Sequence, residues 1–159
     1  MCGMTGWLAF SHDMKAHRKT LQRMTDTLAP RGPDAQGIWI DGPIGLGHRR
    51  LSIIDLEGGR QPMVADHGGQ RAAAVISYTG EVYNFCELRC DLQACGHRFE
   101  TQSDTEVVLR AYLEWGAAFV ERLNGMFAFA LWDARERKLL LVRDRLGVKP
   151  LYFQPTPHG

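Results

Sequence analysis

No charge of one sign dominates this sequence: 19 Lys and Arg stand against 18 Asp and Glu, a formal net charge of +1. The basic residues are scattered rather than clustered, which argues against a nucleic-acid groove and against a membrane-binding face. No apolar run approaches the roughly 20 residues of a membrane span. The first residues lack a basic stretch followed by a hydrophobic one, so no secretory signal is visible and the expected compartment is the cytoplasm. The four cysteines include no CxxC, and no second pair of ligands sits at zinc-type spacing, so no metal site is expected. There is no GxxxxGK[ST] loop, and Gly45-Leu46-Gly47 lacks the third glycine and the strand–turn–helix context of a dinucleotide fingerprint. Repeats and linkers are missing too, and Pro155-Thr156-Pro157-His158-Gly159 reads as a domain boundary.

What is present is ordinary in bulk and unusual at its start. Hydrophobic residues make up 45% and charged residues 23% of 159 residues, which suits one globular domain over 1–159 with a substantial core. Met1-Cys2-Gly3 opens the chain. Removal of Met1 would place two catalytic groups on one residue: a thiol nucleophile, and an α-amine whose ordinary pKa of about 7.7–8.0 suits a base at neutral pH. Gly3 would leave room for a substrate beside the sulfur. The competing reading at this point is a chance cysteine on a disordered terminus.

Along the chain, Thr5-Gly6-Trp7-Leu8-Ala9-Phe10 predicts a strand behind Cys2. Leu21, Met24 and Leu28 predict one face of a helix over 14–28, ended by Pro30. Arg31-Gly32-Pro33-Asp34 is turn chemistry, and short strands follow over 37–40 and 44–48. Arg50 heads an apolar run, so it should be partly buried and need a carboxylate, either a structural one such as that of Asp55 or a ligand's. Residues 56–71 read as loop and 72–78 as a buried strand running into Thr79-Gly80-Glu81, a site edge or a plain turn. A helix over 84–95 should turn Leu88, Leu92 and Cys95 inward, with Cys86, Cys90 and Cys95 as small buried hydrophobes. Ser103 and Glu106 have capping-box spacing, with Asp104 on the first turn of the next helix. Residues 126–132 and 138–142 predict a hairpin with both faces covered, and 149–153 a last short strand.

Taken in order, these segments resemble the glutaminase domain of asparagine synthetase, a class II glutamine amidotransferase of the N-terminal-nucleophile hydrolase type. The matching strings are Met1-Cys2-Gly3, Arg31-Gly32-Pro33-Asp34, the run 47–53, Gln61-Pro62-Met63, the run 78–84, Ser103-Asp104-Thr105-Glu106, the run 123–128 and the run 143–152. The resemblance implies an α+β fold, a four-layer αββα sandwich of two antiparallel sheets between helices. It implies that Cys2 attacks the side-chain amide of L-glutamine through a thioester, supplying ammonia for asparagine synthesis or a related ATP-dependent amidation. By the same resemblance Arg50 pairs with the substrate α-carboxylate, Asp104 holds its α-ammonium with Glu81 nearby, and Leu51, Ile53 and Ile54 complete the pocket.

One position departs from the pattern. The resemblance leads us to expect Asn-Gly-Glu where this chain has Thr79-Gly80-Glu81, with the Asn side chain and Gly80 N–H forming an oxyanion hole. A catalytically weak glutamine-binding or docking module is therefore the alternative. No SGGxDS loop is present, so no cofactor is expected in this domain; ATP and Mg would belong to a synthetase domain or partner that receives the ammonia. No nucleic-acid or membrane partner is expected, and a homodimer is left open.

Overall fold

The computed structural model describes residues 2–67 and 69–159, apart from the side chains of Gln70 and Arg71. Among them, β1 (Gly3–Leu8), β2 (Ala35–Asp41) and β3 (Ile44–Arg50) form an antiparallel sheet in the order β1-β3-β2. A second antiparallel sheet holds β4 (Met63–His67), β5 (Gln70–Val82), β6 (Gly125–Asp133) and β7 (Lys138–Arg143) in sequence order. Helix α1 (Arg18–Asp26) lies on β1 and β3, while α2 (Phe85–Ala94) packs on α3 (Asp104–Trp115) and α3 covers β4 and β5.

Strand alternation sorts the core into two layers. Ala74, Ile76 and Tyr78 of β5 join Phe129 and Leu131 of β6 beneath Leu88, Leu92 and Leu109 of the helices. Val75, Ala130 and Trp132 point the other way, against Ile44 and Leu46 of β3. Each fully buried Leu or Ile here contributes about 1.5–3 kcal/mol. The layers run helix, sheet, sheet, helix, the sandwich that the resemblance implies. No helix of the described residues is long and apolar enough to cross a membrane.

Several local expectations are corrected. Residues 63–67 are not loop but β4: Met63 and Ala65 are buried while Val64 is 43% exposed, an alternation too short to stand out between Pro62 and the glycine pairs around it. Residues 14–28 divide into a short 3-10 turn over Met14–His17 and α1. Strand β7 is a sheet edge with Leu141 41% exposed, so one of its faces is not fully covered. Residues 149–153 form no strand. Instead Asp144 accepts from Phe127, Val148 and Lys149 N–H groups, and Arg143 donates to the carbonyls of Gly147 and Lys149, so side chains shape that loop. Cys86, Cys90 and Cys95 are exposed rather than buried. Leu88 and Leu92 take the inward stripe of α2; Cys86 and Cys90, two residues from them and about 200° round the helix, face outward, and Cys95 is the C-cap beyond the last helical residue.

Candidate active site

Strand β1 begins beside Cys2. Gly3 pairs with Arg49, so Cys2 lies across from the end of β3, where Leu51 N–H donates to Cys2 Sγ at 3.3 Å and the Leu51 carbonyl is 3.5 Å away. A Cβ on Gly3 would stand 2.9 Å from Leu28 Cβ, so the close approach of the segment after α1 requires a glycine here. The Cys2 carbonyl accepts from Thr79 Oγ1 at 3.2 Å and from Arg31 Nε at 3.3 Å. Met1, and with it the question of whether the Cys2 amine is free, lies outside the described residues.

The end of β5 supplies the opposite wall. Odd-numbered residues of this stretch bond to β6, as Tyr83 N–H does to Asn124 O at 2.8 Å. Even-numbered ones turn to the other edge, where β4 has ended. There Tyr78 N–H meets Gln61 Oε1 at 2.6 Å and Val82 N–H meets Asp104 Oδ2 at 3.1 Å. Gly80 has φ +143°, and a Cβ would stand 2.1 Å from Met126 O, so only glycine fits.

Arg50 is 6% exposed. Its guanidinium donates to the main-chain carbonyls of Ile54, Asp55 and Leu56. The carboxylate expected of Asp55 is not its partner, because that group accepts from Gly58 and Gln102 N–H groups, which hold it below the usual carboxylate range. Three of the five guanidinium N–H groups are thus used. Asp104 is 4% exposed at the start of α3 and accepts from the Tyr78 hydroxyl at 2.8 Å. Burial raises its pKa, with Glu81 adding to the rise against the hydrogen bonds. Ser103 caps α3 by accepting from Thr105 N–H. The capping box does not close, because Glu106 reaches back to Glu100 and Thr101 instead.

Arg50, Leu51, Ile53, Ile54, Thr79, Gly80, Glu81, Asp104 and Cys2 all line one cleft of about 110 Å³. That is below the roughly 300–1,000 Å³ of drug-sized pockets and suits a small polar metabolite. Gln61, Tyr78, Thr105 and Lys149 line it as well, and the sequence reading assigned none of them; for Gln61 the only signal was its place in a matching string. A larger and mainly apolar groove meets Cys2 from the other side, along β1. Among the described residues no group of three or more His, Cys, Asp or Glu could hold a metal. The cleft thus presents a sulfur, a guanidinium and two carboxyl groups around a space of amino-acid size.

A family model described as a glutamine amidotransferase domain matches residues 1–159. The glutamine-hydrolysing asparagine synthetase 3 of Bacillus subtilis strain 168 is 48% identical over 153 residues, which are 96% of this chain and 25% of that protein. Asparagine synthetase B of Escherichia coli K12 is 38% identical over 159 residues, 100% of this chain and 28% of its own length. The chain therefore spans about a quarter of the length of these curated relatives. A solved glutamine phosphoribosylpyrophosphate amidotransferase from B. subtilis, complexed with ADP and GMP, matches with a TM-score of 0.55. Identity there is 24%, over 70% of this chain and 25% of that one, so the likeness speaks for the fold alone.

Proposed function

Because this chain belongs to the glutamine amidotransferase domain family, we propose that its cleft hydrolyses the side-chain amide of glutamine, with Cys2 as nucleophile. The Cys2 amine, freed by removal of Met1, takes the thiol proton; the sulfur attacks the amide carbon; the carbonyl oxygen becomes an oxyanion facing the Gly80 N–H. The amine then gives the proton to the departing nitrogen, which leaves as ammonia, and a thioester remains. Water, deprotonated by the same amine, attacks the thioester and releases glutamate, and the proton returns to the sulfur.

The observation that carries this reading is the charge layout of the cleft. Arg50, the buried Asp104 and Glu81 line the same cleft, opposite charges that suit the α-carboxylate and α-ammonium of an amino acid. Arg50 Nη2 is taken up by the carbonyls of Ile54 and Asp55, and one N–H each on Nη1 and Nε is left to make a single charge-assisted hydrogen bond to a carboxylate. An ammonium beside Asp104 would offset the burial that raises its pKa. A zwitterion is stabilised there and not in the apolar groove, whose walls would leave its charges unpaired. The names of the relatives point to asparagine synthesis, so the ammonia is read as passing to a synthetase partner, to which any ATP and Mg chemistry belongs.

The test uses protein whose loss of Met1 is confirmed by mass, assayed for glutamate release and then treated with a glutamine-mimicking electrophile. Cys2 alone should be labelled, although Cys86, Cys90 and Cys95 are the more exposed thiols. Equal labelling of all four sinks the assignment. A second reading, a module that binds glutamine but turns it over slowly, is favoured by one contact. The Thr79 hydroxyl has a single proton, and it is engaged with the Cys2 carbonyl. Tight glutamine binding with negligible glutamate release would favour that reading.

A further inference from the structure

Gln61-Pro62-Met63 belongs to the matching strings yet has no role in the reaction just described. Strand β4 pairs with β5 from Met63, which lies opposite Ile76. Two residues further, the same register would set Gln61 opposite Tyr78, but the main chain does not follow it. The Gln61 carbonyl turns towards β2 instead, where a Cβ on Gly37 would stand 2.0 Å from it.

The Gln61 side chain takes the vacant place in the ladder. Its Oε1 accepts the Tyr78 N–H at 2.6 Å, and its Nε2 donates to Thr105 Oγ1 at 3.4 Å, on the first turn of α3. Across the strand the Tyr78 carbonyl accepts from His48 Nε2 at 2.9 Å, and the Tyr78 hydroxyl donates to Asp104. Every polar group of Tyr78 is held, and the next two residues are Thr79 and Gly80.

We propose that Gln61 is a positioning residue for amide hydrolysis: its carboxamide stands in for a missing strand and holds the edge of β5 so that the Gly80 N–H faces the nucleophile. This rests on the glutaminase reading of the cleft. An unpaired N–H at a sheet edge seeks another partner or water, and the strand moves with it. Because the Gly80 donor acts on charge that develops in the transition state, its displacement lowers kcat rather than raising KM.

Gln61→Leu keeps the bulk and removes both hydrogen bonds. The expected result is a kcat lower by about 10- to 100-fold, a KM within about 3-fold of the parent, and faster deuterium exchange at the Tyr78 amide. Gln61→Glu retains an oxygen for the Tyr78 N–H and should recover most of kcat. A Leu variant with parental kcat overturns the proposal. So do two variants equally impaired in kcat with equal falls in Tm, the mark of general damage to the fold. A Met1-free parent that does not hydrolyse glutamine overturns the glutaminase reading instead. The exchange measurement then decides alone, since unchanged protection of the Tyr78 amide in Gln61→Leu refutes the strand-substitute role.

Discussion

At Arg50, loop carbonyls use three N–H groups and leave two for a ligand. Lysine carries the charge but not the planar fork. Arg50→Lys should therefore raise KM for glutamine by about 10- to 100-fold, the value of a lost charge-assisted pair, with a smaller effect on kcat. An unchanged KM in steady-state assays would assign the guanidinium to the loop alone. Thr79 raises a transition-state question instead. Its hydroxyl is on the Cys2 carbonyl, so in the proposed mechanism the oxyanion is left with the Gly80 N–H. Thr79→Asn adds a longer donor and should raise kcat, by up to about 10²–10³ if a full donor is gained, with KM little altered. A kcat that stays flat or falls refutes Thr79 as the weak point and makes its grip on Cys2 the more important contact.

The β6–β7 hairpin shows how one buried carboxylate can hold an element. Asp133 ends β6 with no exposed side-chain area and lies 2.7 Å from Arg135. It also accepts from the Tyr112 hydroxyl at 2.8 Å and from the Glu136 N–H at 3.1 Å. Burial alone would raise its pKa, but these donors outweigh it and lower it to about 2. A depressed acid stabilises the fold above its unfolded pKa, near 3.8, and that contribution is lost as pH falls from about 4 to about 2. The loss is at most about 2 kcal/mol, and nearer 1 once solvent around the partly exposed Arg135 is allowed for. Asp133→Asn should lower stability at pH 7 and show a shallower loss below pH 4 than the parent in denaturant melts. Identical slopes would mean that Asp133 is not depressed.

Across the whole molecule, the contact between the two sheets carries its own pH dependence. His48 has no exposed area, and because a carbonyl can only accept, Nε2 is the nitrogen that donates to Tyr78. Among the described residues Nδ1 has no partner. Burial, helped by nearby Arg50, lowers its pKa to about 4 although the Tyr78 bond raises it. The unfolded chain binds a proton near pH 6.5 and the folded one does not until about 4. Stability should therefore fall on acidification across that window, by up to about 3 kcal/mol. His48→Gln keeps a donor for the Tyr78 carbonyl and should flatten the fall in melts between pH 7 and 4. A parent and variant with parallel curves refute a neutral His48.

What was legible in the residue order was local or periodic. Unbroken apolar runs mark β5 and β6, the Leu88 and Leu92 spacing marks the inward face of α2, and Ser103-Asp104 marks the start of α3. The matching strings added the αββα layering and the residues that line the cleft. What only the tertiary structure decided lies in contacts between distant residues. Thr79 and Cys2 are 77 positions apart, and Gln61 and Thr105 are 44 apart. Cysteine exposure on α2, the edge position of β7 and the absence of a strand at 149–153 follow from which neighbours arrive to cover them. Periodicity tells which face of an element is apolar; whether that face is met, and whether a main chain or a side chain fills a given place in a ladder, is set by packing between segments that no short stretch of sequence contains.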